Sequence, residues 1–216
     1  MTTKPMPRDR IALTVIAVVT WFGLLLRLNG YLGASESIVD GLVLYFGFFT
    51  ILTNIFVGLV VTLPLVCGGT RVARWFATDA KLGCATTAIM FVCIAYHILL
   101  QHLWSPQGWQ WVADMTLHYV VPLMLLAYWI WRVPQQAVST LAPLAWSAYP
   151  AVYFAYVLLR GELIGLYPYH FIDAASIGYG RTLLNAVGLL VLFVGLGVLV
   201  KGIARLRSPG RANLGT

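Results

Sequence analysis

The sequence predicts an all-α membrane protein, a bundle of six transmembrane helices with both termini in the cytoplasm. The 216-residue chain is 60% hydrophobic and 10% charged, with a mean hydropathy of +0.84, whereas a soluble domain carries roughly 25% charged residues. Six apolar runs reach about 20 residues, the length that crosses the hydrocarbon core. Basic residues collect in alternate connections between these runs. The net charge of +7 therefore indicates membrane topology, and no nucleic-acid partner is predicted.

The six predicted spans form a single transmembrane domain followed by a basic tail. The spans cover residues 11–32, 41–66, 83–104, 112–131, 141–160 and 181–200, and the tail covers 202–216. None of these runs alternates polar with apolar residues, as the strands of a membrane barrel do. The first run follows Lys4, Arg8 and Arg10 as a signal peptide would, but its length and the lack of a cleavage site favour a retained span.

The distribution of lysine and arginine predicts the direction of each span. The connections assigned to the cytoplasm contain Arg8, Arg10, Arg71, Arg74, Lys81, Arg132, Lys201, Arg205, Arg207 and Arg211. By the positive-inside rule both ends of the chain face the cytoplasm, and we expect the protein in the plasma or inner membrane. In this orientation Thr50 lies about 15 Å and His118 about 10 Å below the outer surface, at about 1.5 Å per residue.

Span two carries a short polar face. Thr50, Thr53 and Asn54 are spaced i, i+3 and i+4, so they share one side of a helix. A structural interpretation is that threonine bonds a carbonyl one turn back and that Asn54 joins two helices. A chemical interpretation is that Thr50 is a nucleophile and that Asn54 donates to an oxyanion.

Span four carries the ionisable residues Asp114 and His118, one helix turn apart. A charged group at that depth costs about 3 kcal/mol, so we expect a partner and a function. A hydroxyl nucleophile needs an imidazole that takes its proton and a third group that holds the imidazole. The sequence offers a residue of the right type for each role: Thr50 for the hydroxyl, His118 for the imidazole and Asp114 for the third group. Asp114 has a second interpretation, as a cap at the positive end of the span.

His97 in span three is an alternative partner of His118, since two histidines can ligate a metal or haem. No cysteine or glutamate with ligand spacing accompanies it. The three cysteines provide neither a paired framework nor a metal spacing. The sequence therefore predicts no metal and no cofactor, and His97 stands as a supporting residue of the site or as a packing histidine.

Spans five and six supply candidate substrate-binding residues. A stripe of polar-tipped aromatic residues on span five consists of Tyr149, Tyr153 and Tyr156. Arg160 follows on the same face, where it either holds a carboxylate or extends from a packed helix to the interface. Arg181 is expected to pair with Asp173, with Glu162 or with an acid of the ligand.

Three short motifs resemble a known family. They are Phe-Phe-Thr-Ile-Leu-Thr-Asn at 48–54, His118 four residues before Pro122, and Tyr-Pro-Tyr-His-Phe-Ile-Asp at 167–173. In these motifs the chain resembles bacterial six-span relatives of the androgen-induced protein family, whose members are membrane threonine hydrolases that cleave fatty acid esters of hydroxy fatty acids. The resemblance implies that Thr50 is the nucleophile and that His118 is the base.

The sequence thus favours an intramembrane hydrolase of lipid esters, with a lipid or acyl-ester substrate. It predicts no oligomeric state. The alternatives are a non-enzymatic binder or transporter of an acidic amphiphile and, third, a membrane protein with a histidine-ligated metal or haem. The separation of Thr50 and His118 discriminates among them, because a nucleophile and its base lie within hydrogen-bond reach.

Overall fold

The computed structural model describes residues 7–132 and 138–206, and these residues contain helices and no strand. Six helices are long and apolar enough to cross a membrane. They cover Arg8–Ala34, Phe49–Val66, Asp79–Leu100, Gly108–Arg132, Ala142–Ile164 and Tyr179–Ile203. The prediction of an all-α chain with six potential spans is confirmed, and the six helices indicate a multi-pass membrane protein.

The helices are numbered in chain order. They are α1 (Pro7–Ala34), α2 (Ile38–Gly47), α3 (Phe49–Val66), α4 (Arg71–Phe76), α5 (Asp79–Ala95), α6 (Gly108–Met115), α7 (Val121–Arg132), α8 (Ala142–Trp146), α9 (Ala148–Ile164), α10 (Ala174–Ile177) and α11 (Tyr179–Leu206). Span three begins at Asp79 rather than at 83, and span five extends to Ile164 rather than 160. Of the predicted tail, 202–206 belong to α11 and the rest lies outside the described residues.

The core lies between α1, α3, α5 and α7. Helix α3 packs on both α1 and α5, and α5 also packs on α7 and α11. Val57, Ile89, Val121 and Leu125 are completely buried where these helices meet. Helix α11 leaves most of its apolar surface uncovered, as a helix that faces lipid does.

Small residues allow the closest approaches inside the bundle. A Cβ atom added at Gly83 of α5 would lie 2.7 Å from the ring of Trp146 and 3.0 Å from the ring of Trp129. Between membrane helices, association depends on such close packing, because lipid tails are as apolar as the side chains. Gly83 therefore fixes the distance at which α8 and α7 meet α5.

The span predicted at 41–66 is not one continuous helix, which corrects the sequence-based expectation. Helix α2 ends at Gly47 and α3 begins at Phe49, and Phe48 between them is extended, with φ −88° and ψ 132°. A break inside a membrane exposes backbone groups that need partners from the protein itself. Thr50 is the second residue of the new helix, so the break sets its position.

Span five provides partners for the carbonyl groups that the break exposes. Three side chains of α9 donate to carbonyls near the end of α2: Tyr153 to Gly47 at 2.9 Å, Tyr156 to Phe46 at 3.3 Å and Arg160 to Val43 at 3.1 Å. The carbonyls of Phe46 and Gly47 belong to the last turn of α2, where carbonyl groups have no partner within the helix itself. The stripe on span five therefore stabilises the interruption in span two.

Two π-helical turns interrupt other spans in the part of the chain that the structure describes. Tyr96–Leu100 extends α5, and Thr116–Val120 joins α6 to α7. Such turns are rare and occur frequently at functional sites. One of them contains Tyr96 and the other contains His118.

Candidate functional site

Thr50 and His118 meet inside the helical bundle. The Thr50 hydroxyl lies 3.2 Å from Nε2 of His118, and both side chains are buried. The start of α3 supplies Thr50, and the π-helical turn between α6 and α7 supplies His118. The separation is within the reach of a nucleophile and its base.

The other ring nitrogen of His118 faces Asp114. Nδ1 lies 3.0 Å from the backbone carbonyl of Asp114 and 3.3 Å from its carboxylate Oδ1. The carbonyl is the hydrogen-bond acceptor, because Oδ1 has no hydrogen-bond partner among the described residues. A carbonyl can only accept, so this contact assigns the proton to Nδ1. Nε2 then presents its lone pair to the Thr50 hydroxyl.

Tyr96 holds both Asp114 and His118. Its hydroxyl donates to Oδ2 of Asp114, and its ring stacks on the imidazole with the ring centroids 3.8 Å apart. Asp114 is fully buried and lies in the last turn of α6, whose first turn contains no acidic residue. The interpretation of Asp114 as a cap of the span is therefore wrong. Its carboxyl group lies next to the imidazole instead.

Tyr169, from the connection between α9 and α11, reaches the start of α3. Its hydroxyl accepts the Phe49 N–H at 3.0 Å. Burial raises the pKa of Tyr169 to about 12, although hydrogen bonds from Thr50 and Phe49 act in the opposite direction. The phenol is thus protonated at neutral pH. The first amides of α3 and the positive end of its dipole lie at the same point, which is an arrangement that stabilises an anion.

Asn54 fastens α3 to the turn that carries His118. Its amide nitrogen donates to the carbonyls of Thr50 at 2.8 Å and Leu117 at 3.3 Å. Its Oδ1 has no hydrogen-bond partner in the described part of the chain. Since both N–H groups are engaged by carbonyls, these contacts favour the structural interpretation of Asn54 over a role as oxyanion donor.

His97 does not join His118 as a ligand. Its side chain is exposed, and Nδ1 lies 3.1 Å from the hydroxyl of Tyr119. Both ring nitrogens of His118 face other protein groups. Within residues 7–132 and 138–206, no group of three or more histidine, cysteine, aspartate or glutamate side chains lies close enough to hold a metal. The contacts of the two histidines thus give no support to the metal or haem alternative.

The residues predicted to bind substrate are mostly engaged elsewhere. Tyr153, Tyr156 and Arg160 bind the backbone of α2, as described above, and Arg160 also donates to the Leu166 carbonyl at 2.5 Å. Only Tyr153 of these three also lines a cavity next to Thr50. The guanidinium of Arg160 is buried and binds carbonyls from two segments, so the expectation that it extends to the interface is wrong. Its binding of a ligand carboxylate stays a prediction.

Arg181 also departs from its prediction. It is exposed and forms no ion pair within the residues that the structure describes. Asp173 instead accepts from Ser176 at the start of α10, and Glu162 accepts from tyrosine hydroxyls. The predicted pairing of Arg181 with either acid is therefore wrong.

We expect Arg160→Met to lower the free energy of unfolding by about 2–4 kcal/mol, because the carbonyls of Val43 and Leu166 lose the charged donor of a buried side chain. The thermal unfolding midpoint of the purified protein in detergent checks this. Arg181→Met is the matched control, and an exposed change of this kind shifts stability by about 0.5 kcal/mol or less. Equal midpoints for the two variants would contradict the structural role of Arg160.

Two cavities meet at Thr50. The first, the site cavity, has a volume of about 320 Å³ and contains Thr50, Asp114 and His118. The second, the apolar cavity, has a volume of about 240 Å³ and lies among α5, α9 and α11. Thr50, Tyr96, Leu100 and Tyr169 line both cavities. Thr50 therefore borders both cavities.

Arg27 places a positive charge in the site cavity. Its guanidinium donates to Gln110 at 3.1 Å and lies 4.4 Å from the ring centroid of Trp104 and 5.2 Å from that of Tyr31. In the sequence Arg27 only interrupts the end of span one, and its role was missed. An arginine within an apolar span is the signal that could have identified it.

No family model, curated protein or solved structure matches this chain. The family resemblance of the three motifs consequently stays a prediction. The interpretation of the site rests on the contacts of its own residues.

Proposed function

We propose that the protein is an intramembrane hydrolase of lipid esters, with Thr50 as nucleophile and His118 as general base. The observation that carries the proposal is the 3.2 Å contact between the Thr50 hydroxyl and Nε2 of His118. The Asp114 carbonyl, which accepts from Nδ1, supports the tautomer that a base requires. We place the chain in the plasma or inner membrane, with both termini cytoplasmic.

The proposed reaction has two steps. In the first, Thr50 Oγ attacks the ester carbonyl while its proton passes to His118 Nε2. The carbonyl oxygen becomes an oxyanion, which the amides at the start of α3 and the Tyr169 hydroxyl stabilise. The ester C–O bond breaks, and the departing alcohol takes the proton from His118. In the second step His118 takes a proton from water while the water oxygen attacks the carbonyl carbon of the acyl-Thr50 ester. The bond from that carbon to Thr50 Oγ breaks, His118 returns the proton to Oγ, and the fatty acid leaves.

The two cavities fit the two parts of a lipid ester. The apolar cavity is suited to an acyl chain, since aliphatic and aromatic side chains of three helices line it. The site cavity is suited to the alcohol part, and Arg27 favours an anionic group there. The substrate reaches both from the lipid or from the outer side of the membrane.

A long-chain alkyl fluorophosphonate tests the proposal directly. Purified protein is treated with the probe, and the modified peptide is identified by mass spectrometry. We expect one adduct on Thr50, formed more slowly in the presence of a palmitoyl ester but not of an acetyl ester. An adduct on another residue, or none, would overturn the assignment.

Asp114→Asn is expected to slow hydrolysis by about 10- to 100-fold. The substitution removes the charge that stabilises the imidazolium, but the backbone carbonyl still holds Nδ1–H. Where the carboxylate is the imidazole's acceptor, the corresponding loss is about 10⁴-fold. Rates with a chromogenic ester measure the effect. A loss as large as 10⁴-fold would show that the carboxylate, and not the carbonyl, orients His118.

Ala186→Phe is expected to change chain-length preference. Ala186 of α11 lines the apolar cavity, so a phenyl ring there occupies space for the acyl chain. We expect the ratio of palmitate to butyrate ester hydrolysis to fall about ten-fold or more. Leu184→Phe, at an exposed position of the same helix, is the control. An unchanged ratio in Ala186→Phe would show that the acyl chain does not bind in this cavity.

The break at Phe48 favours a second function, the binding or transport of an acidic amphiphile. Discontinuous membrane helices form substrate sites in many transporters. In that case Thr50→Val retains ligand binding, and the unmodified protein hydrolyses no ester. Uptake of a fluorescent fatty acid into liposomes, compared with ester hydrolysis by the same preparation, separates the two functions.

A further inference from the structure

A third cavity, of about 400 Å³, lies where α1 begins and α3 ends. We call it the basic cavity, because three guanidinium groups line it: Arg10 of α1, Arg74 of α4 and Arg132 at the end of α7. None of its lining residues belongs to the site around Thr50. It lies at the end of the bundle that the positive-inside rule assigns to the cytoplasm.

The carboxylates around the basic cavity already have partners. Asp79 binds Arg132 at 2.9 Å, and Asp9, which is buried, is hydrogen-bonded to Tyr128. Arg74 donates to the Gly69 carbonyl at 2.8 Å, and within the described residues its guanidinium has no carboxylate partner. Positive charge is therefore in excess at the cavity wall.

Backbone amides add donors to the same wall. Gly68 and Gly69 line the cavity, and their N–H groups have no hydrogen-bond acceptor in the part of the chain described here. Neighbouring amides beside arginine side chains bind anionic oxygens. Deeper in the cavity the wall is apolar, with Leu13, Val60 and Leu82 buried there.

We propose that the basic cavity binds the phosphate headgroup of an anionic phospholipid, with the start of its acyl chains against the apolar wall. Arg10, Arg74 and the glycine amides bind the phosphate. Basic pockets between membrane helices on the cytoplasmic side bind lipid headgroups in this way, because that leaflet is rich in anionic lipid. The apolar depth favours a lipid over a soluble phosphate compound.

Native mass spectrometry of the full chain in a neutral detergent tests the proposal. Dioleoyl phosphatidylglycerol, dioleoyl phosphatidylcholine and inorganic phosphate are the probes. We expect phosphatidylglycerol to bind more tightly than phosphatidylcholine. Arg10→Gln and Arg74→Gln should each weaken its binding about five-fold, the effect of one charge near a lipid surface.

Arg71→Gln is the matched control, since Arg71 is exposed on the same short helix as Arg74 but does not line the cavity. It should change binding by less than about two-fold. Equal weakening by all three substitutions would reveal diffuse attraction to the surface and overturn the proposal. Displacement of phosphatidylglycerol by an equal concentration of inorganic phosphate would show that the cavity binds a soluble phosphate and not a lipid headgroup, and would overturn the proposal. If Arg74→Gln does not fold, Arg10→Gln decides, because Arg10 has no hydrogen bond to a described residue.

Discussion

Thr50→Val should abolish ester hydrolysis, with a loss on the order of 10³-fold or more, whereas Thr50→Ser should retain activity. Valine keeps the branched shape of threonine but removes the oxygen that attacks the carbonyl. Serine restores that oxygen with one methyl group fewer. Losses of this size follow removal of a nucleophile that acts together with its base. Rates with a long-chain chromogenic ester and the yield of the fluorophosphonate adduct measure the effect.

Thr53→Val is the control for this prediction. Thr53 lies one turn along the same face of α3, is completely buried, and is hydrogen-bonded to Tyr149. Its replacement costs about 1 kcal/mol of stability through the lost hydrogen bond, but it leaves the proposed nucleophile in place. If Thr50→Val hydrolyses esters as fast as Thr53→Val, Thr50 is not the nucleophile.

The apolar runs predicted the spans well because each helix satisfies its own backbone hydrogen bonds. Only sequence length and hydropathy then decide where a span lies. The pairing of Asp114 with His118 could also be predicted from the sequence, since i and i+4 positions share a helix face. The contact between Thr50 and His118, 68 residues apart, was expected only from their membrane depth and the family resemblance.

The break at Phe48 could not be predicted from span two alone. Two carbonyl groups near the end of α2 have partners far along the chain. Tyr153, which binds the Gly47 carbonyl, follows 106 residues later, and Arg160, which binds the Val43 carbonyl, follows 117 residues later. In the sequence these two side chains resembled a ligand-binding face. Their actual contacts depend on how α9 packs against α2, which no periodicity within either segment determines.

The break has a consequence for the proposed chemistry. A continuous helix would engage the amides of Phe49 and Thr50 with carbonyls one turn earlier. Because α3 begins at Phe49, the Phe49 N–H donates to the Tyr169 hydroxyl beside Thr50 and not to a carbonyl one turn earlier. Tyr169 was not singled out by the sequence, although it lies within the motif at 167–173, because only the loop's path over α3 makes it a partner.

His118→Gln should reduce hydrolysis by about 10³-fold, within the range of 10²- to 10⁴-fold for loss of a general base. Glutamine is polar and of similar length, but its carboxamide does not take a proton at neutral pH. The ring stack on Tyr96 is also lost, so the thermal midpoint is measured alongside the rate. His97→Gln is the control, because His97 is exposed and contacts Tyr119 instead of Thr50.

The double variant Thr50→Val/His118→Gln separates a shared reaction from two independent effects. If His118 acts only by taking the proton of Thr50, the double variant should be no slower than the slower single variant, since residues that act as a unit are not additive. Multiplied losses would mean that His118 acts on the substrate by another route. Full activity in His118→Gln with a normal thermal midpoint would remove the histidine from the mechanism, and the 3.2 Å contact would then be structural.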